Sequence, residues 1–240
     1  MRRFLVFVSI IGLFSFNTHA ADMRANDTFD PLFMVSEKAF LSETDLNYVD
    51  KIMRLGQQFS YGVNDRFSLA LNGHYQIGFD HRGTGFSAFD FGGKYRMGVA
   101  SSNDAGMVYD VLFGLKFGGA SDVRTPDYAK STYYAGVRLG KQWAGWTFSG
   151  TVKSSWVFDD TRGVSYLNFI PEVYFRYDLN WRVGFGFDFV KSTNQQLFAD
   201  QEWLNFKLVR QFGNTQYGAK VGYEFEDSNI QIGAQVNILF

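Results

Sequence analysis

Cysteine is absent from the 240 residues, and proline and histidine occur three times each. Without cysteine there are no disulfides and no thiolate metal ligands. With so little proline, long stretches of backbone keep every N–H available for a ladder. With so little histidine, general bases are scarce. Long apolar runs are missing as well. The one candidate, residues 4–16, is about thirteen residues long, against the roughly twenty that a spanning helix needs. Together with a slightly negative mean hydropathy, this excludes a helical membrane protein. Neither sign of charge dominates, since 23 Lys and Arg stand against 24 Asp and Glu. Nothing in that balance points to nucleic acid as a partner.

The chain is rich in rings and in glycine: 27 Phe, 13 Tyr, 5 Trp and 25 Gly. The short apolar run follows Arg2 and Arg3 and is followed by Thr18, His19 and Ala20. A basic start, a short apolar core and small residues before a cut describe a secretory signal, so residues 1–20 are expected to be removed after Ala20. Residues 21–30 are polar and read as a flexible lead-in, which leaves residues 31–240 as the folded domain.

Within that domain polarity alternates with a period of two. Phe113, Phe148, Phe185 and Val221 each sit in a run of apolar residues at every second position. The positions between carry Gly, Ser, Thr, Asn, Lys and Asp. Such segments recur from residue 52 to the end, as expected of strands with lipid on one face and a lumen on the other. Eleven clear strands cannot close with both termini on one side, so the poorly patterned residues 31–41 are taken as the first of about twelve. Residues 41–50 then become an outer loop, one that could fold inward as a plug. Connectors alternate between short turns, such as Ala144-Gly145, and mostly longer loops. Rings flank the short turns: Tyr61, Phe67, Trp143, Trp146, Tyr177, Trp181, Phe212 and Tyr217, a pattern that suits one interfacial girdle. Only Lys141 and Arg210 put a charge on the outward faces, each two residues from a girdle ring. Pro171 interrupts a strand, and a bulge is expected there.

The last eleven residues place Ile230, Ile232, Ala234, Val236, Ile238 and Phe240 on one face. This segment resembles the C-terminal signature strand of bacterial outer-membrane β-barrels. The resemblance implies an all-β fold, a transmembrane antiparallel up-and-down barrel in the outer membrane of a Gram-negative bacterium; a monomeric or weakly oligomeric barrel is expected. Its implied partners are outer-membrane lipid, a small-molecule solute, and the barrel-assembly machinery, which would read residues 230–240.

The expected lumen is charged and mixed in sign. Its lining is read as Arg54, His74, Asp90, Lys94, Arg96, Lys116, Arg138, Lys153, Glu172, Arg176, Arg182, Asp188, Lys207, Lys220 and Glu224, together with Asp110. Salt bridges could plug such an interior. A cation-rich lining would instead attract anionic or polar solutes by focusing the field in a narrow channel. Inward glycines, among them Gly92, Gly114, Gly184, Gly186 and Gly218, leave space between the long side chains and favour the pore. No cofactor, metal or catalytic residue is assigned. His74 reads as a polar lumen residue, and Asp80, His81, Asp159 and Asp160 as solvated loop charges rather than a hydrolase site. Gly83, Gly85 and Ala88 form a GxGxxA string that leads into a strand, so it is a turn and not a dinucleotide site.

Residues 61–69 (YGVNDRFSL) and 89–96 (FDFGGKYR) resemble the outer-membrane family named for the MetA pathway of phenol degradation. That resemblance implies transport of small organic compounds. The alternatives are a non-conducting structural or adhesive barrel acting through its outer loops, and a loop-based outer-membrane hydrolase.

Overall fold

Alternating polarity becomes strand after strand. The computed structural model describes residues 27–79, 83–98, 107–119, 130–158, 163–178, 180–195 and 200–240. In order the strands are β1 (Phe40–Val49), β2 (Ile52–Asn64), β3 (Phe67–Gly78), β4 (Gly85–Gly98), β5 (Met107–Gly118) and β6 (Thr132–Trp143). They continue with β7 (Trp146–Val157), β8 (Ser165–Arg176), β9 (Trp181–Ser192), β10 (Gln201–Phe212), β11 (Thr215–Glu224) and β12 (Ile230–Leu239). Each pairs with its chain neighbours, and β1 pairs with β12 to close a barrel of twelve antiparallel strands. Closure removes both sheet edges.

The exterior is apolar. Phe113, Phe148, Phe185 and Val221 are 41 to 49 % exposed on the outer face, whereas Lys94, Lys153 and Lys220 point inward. A barrel wearing hydrocarbon outside and charge inside is built for a bilayer. The girdle rings stand on the outer surface at the short-turn end: Trp146 packs tilted against Phe175 with ring centroids 4.3 Å apart, and Phe212 meets Tyr217 edge-on at 5.9 Å. Arg210 lays its guanidinium over Trp181 at 4.8 Å and Phe212 at 4.6 Å, which shields an outward charge beside the interface.

Two expectations are corrected. Residues 31–41 are not the first strand, and residues 41–50 are neither loop nor plug: β1 is Phe40–Val49. Its outward face carries Ser42 and Thr44 at mid-strand, which bond the outward Gln57 of β2, so lipid meets amides and hydroxyls that satisfy one another. Pro171 makes no bulge. It keeps register with Gly150 of β7, but the ladder to β9 skips from Phe169–Phe189 to Glu172–Gly186. The irregular pairings fall instead at Gly62 and Asn64, His74 and Tyr75, and Arg96 and Gly98. The predicted signal at residues 1–20, the start of the lead-in, and the loop residues Asp80, His81, Asp159 and Asp160 lie outside the described residues.

Candidate functional site: the lumen and its inward segment

The lumen is not an empty tube. Residues 27–39 enter it at the end where the short turns lie and cross it before β1 begins. Part of the expected lead-in is therefore a docked element.

Asp27 anchors the crossing. One carboxylate oxygen accepts from the Tyr174 hydroxyl at 2.8 Å; the other accepts from Arg176 Nε at 2.8 Å and Arg182 Nε at 3.1 Å. Asp30 accepts from Gln142 Nε2, Thr147 Oγ1 and Arg176 Nη2. Thr28 donates its N–H and hydroxyl to Gln216 Oε1 at 3.0 and 2.7 Å, and Asn237 Nδ2 donates back to its hydroxyl. Phe29 packs with Tyr174 and Val209 above Gly218, where a Cβ would meet the ring at 2.6 Å.

Three consecutive carbonyls then receive three cations. Arg138 donates to Pro31 O, Arg96 to Leu32 O and Lys94 to Phe33 O. Ser68 donates to the Met34 sulfur at 3.7 Å, and the segment reaches the wall where Lys38 N–H donates to Gly62 O at 2.8 Å. An irregular backbone at membrane depth is tolerable because the lumen wall supplies every one of these partners.

The remaining sequence-predicted lining residues also face inward. Arg96 forms a two-pronged pair with Asp110 at 2.8 and 3.0 Å. Arg54 donates to Gln76 Oε1, His74 Nε2 lies 2.9 Å from Asn72 Nδ2, and Lys116 donates to the Tyr166 hydroxyl at 3.2 Å. Tyr134 donates to Asp90, and Lys153 sits 5.2 Å from the same ring. Glu172 accepts from Lys207 at 3.3 Å. Glu224 is 2 % exposed and accepts from the Asp227 N–H. Asp188 and Lys220 line open volume in the upper lumen.

Several inward glycines do not leave open space, as the sequence suggested. A Cβ on Gly92 or Gly114 would collide with the Tyr134 phenol, and one on Gly140 with Leu32. Open volume survives above the crossing segment, in cavities of about 220 and 230 Å³ that share Lys207 and Lys220 in their linings.

The sequence reading missed four lumen acids: Glu43 and Asp45 of β1, and Asp27 and Asp30 of the inward segment. Among the described residues they bring the lumen acids close to parity with the lining cations. At the outer end, beyond the strands, a hydrogen bond from Lys191 holds the Asp200 carboxyl below its usual range.

The barrel is similar to solved outer-membrane channels. The NanC porin matches with a TM-score of 0.65 at 8 % identity, covering 82 % of this chain and 98 % of that one. The KdgM porin, solved in complex with disordered oligogalacturonate, matches at 0.63 and 12 % identity over 82 % and 98 %. The fold is that of the bacterial outer-membrane porins. A third solved structure, an outer membrane channel from Pseudomonas putida F1, matches at 0.60 and 10 % identity over 93 % of this chain and all of that one. No family model matches the sequence, and no curated protein matches it.

Proposed function

We propose that the chain is a passive channel in the outer membrane of a Gram-negative bacterium, taking small polar or charged solutes through its lumen. The observation that carries the reading is the upper lumen, where two cavities with charged linings open above a docked segment instead of a salt-bridged core filling the barrel. The NanC and KdgM porins lend the fold, and the oligogalacturonate in the latter's structure lends precedent for a charged solute. Uptake of small organic compounds, implied by the likeness of residues 61–69 and 89–96 to the MetA-pathway family, is the finer form of the same reading. Recording single channels in planar bilayers tests it. Discrete conductance steps are expected, and silence at every salt concentration overturns the channel.

A non-conducting structural barrel is favoured by one observation, the dense bonding of residues 27–39 across the lumen. Silence in the same recordings would select it. In either case residues 230–240 would engage the assembly machinery, for which Phe240 is well placed: it exchanges backbone hydrogen bonds with Phe40 while its ring stays 69 % exposed. Phe240→Ala is expected to reduce assembled barrel in cells, read by heat-modifiable mobility on gels, and to leave refolding in detergent unchanged.

A further inference from the structure

Lys207 and Lys220 are direct cross-strand partners on β10 and β11. Like charges placed directly opposite are destabilising, and an anion between them would relieve the repulsion. Lys207 has Glu172 at 3.3 Å, whereas Lys220 makes no hydrogen bond and no ion pair among the described residues. Both lysines border the cavity of about 230 Å³.

Register defines the far wall of that cavity. Lys220 pairs with Gly233 of β12, and Gly233 pairs with Asn47 of β1. The Asn47 amide lies over Gly233, in the space a side chain there would take. Asp45 and Glu43 follow Asn47 along β1 towards the short-turn end and line the same cavity. Strands β11 and β1 are two spacings apart, roughly 10 Å. A Lys stem and an Asp reaching inward from these strands leave room for a small molecule between their charged tips. Gln235 and Gln58 also line the space; their amide nitrogens donate to Glu43, as Asn47 donates to Asp45, and their carbonyl oxygens remain able to accept from a guest.

Resting on the channel reading, we propose that this cavity is a selectivity site for small zwitterions, solutes carrying a carboxylate and a protonated amine a few ångströms apart, such as amino acids with short side chains. The carboxylate would sit on Lys207 and Lys220, and the amine on Asp45 and Glu43. An anion alone satisfies the lysines but faces the acids, and a cation alone meets the reverse.

Swelling of liposomes containing the full-length barrel tests this with four solutes of similar size: alanine, sodium lactate, 1-amino-2-propanol hydrochloride and glycerol. Alanine is expected to enter severalfold faster than lactate or the amine once each is normalised to glycerol. Lys220→Met should slow alanine and lactate severalfold while sparing the amine and glycerol. Asp45→Asn should slow alanine and the amine while sparing lactate and glycerol. Lys207→Met and Glu43→Gln repeat the two arms should either first variant refold poorly. Entry of glycerol with no advantage for alanine, or variants that scale all four solutes alike, overturns the zwitterion site and leaves the channel standing. Exclusion of all four solutes, glycerol included, overturns the channel itself.

Discussion

Val221 and Lys220 are neighbours in β11 that live in different solvents. Val221 is 49 % exposed on the outer belt, while Lys220 borders the lumen cavities. The same division explains why Arg210 is tolerated outside, since it lies two residues from the short-turn end of β10 with two rings beneath it. A lysine facing lipid costs about 2 to 4 kcal/mol at the midplane and roughly 0 to 1 near an interface. Val221→Lys is therefore expected to lower stability by about 2 to 4 kcal/mol and Arg210→Ala by under about 1 kcal/mol, as measured by reversible urea unfolding in lipid vesicles. Equal effects would mean that the belt does not lie where the exposure pattern puts it. At this scale the sequence was readable because lipid on one side and polar surroundings on the other impose a choice at every second residue. It was unreadable where an outward residue is polar. Ser42, Thr44 and Gln57 hydrogen-bond one another on the lipid face, and that local solution hid the first strand.

Among the elements, the turn after β1 shows why a boundary can vanish from a sequence. Asp50 and Lys51 both adopt positive φ, 43° and 63°, in a two-residue hairpin that usually advertises itself through Asn or Gly. The equivalent turn at Ala144 and Gly145, with φ of 45° and 87°, carries its glycine and was legible. The inward segment was illegible for another reason. Its stability comes from Arg96, Arg138, Arg176 and Arg182, dozens of residues away in the chain, so residues 27–39 show no local pattern. Strand β8 poses a different case, being legible as a strand yet unevenly joined. The Pro171 carbonyl lies 3.3 Å from where a Cβ on Gly186 would stand, so its backbone faces β9, and the donor that proline lacks is missing from that seam. Pro171→Val restores the donor. A gain of about 0.5 to 1.5 kcal/mol is expected, the net worth of one hydrogen bond, read as a higher urea midpoint in the same vesicles. No gain would show that another feature holds β8 and β9 apart.

For the whole molecule, the lumen is a balance of charge that the inward segment completes. The wall alone contributes Arg96, Arg138, Arg176 and Arg182 near the short-turn mouth, and the segment brings Asp27 and Asp30 to meet two of them. Removing residues 27–38 takes away both acids and the Phe29 ring but leaves every strand intact, because β1 starts at Phe40. The barrel should still close, with a wider passage whose narrow end is lined by arginines. A cationic ring in a low-dielectric tube concentrates anions, so two changes are expected together. Single-channel conductance should rise severalfold over the full chain, and the reversal potential in a salt gradient should move towards anion selectivity. The selectivity should fade in concentrated salt, since the screening length shrinks from about 10 Å at 0.1 M to about 3 Å at 1 M. The conductance gain should persist, because it reflects width. Unchanged conductance would mean that residues 27–39 do not set the constriction, and a shift towards cations would mean that Glu43, Asp45 and the other lumen acids, not the exposed arginines, govern the field.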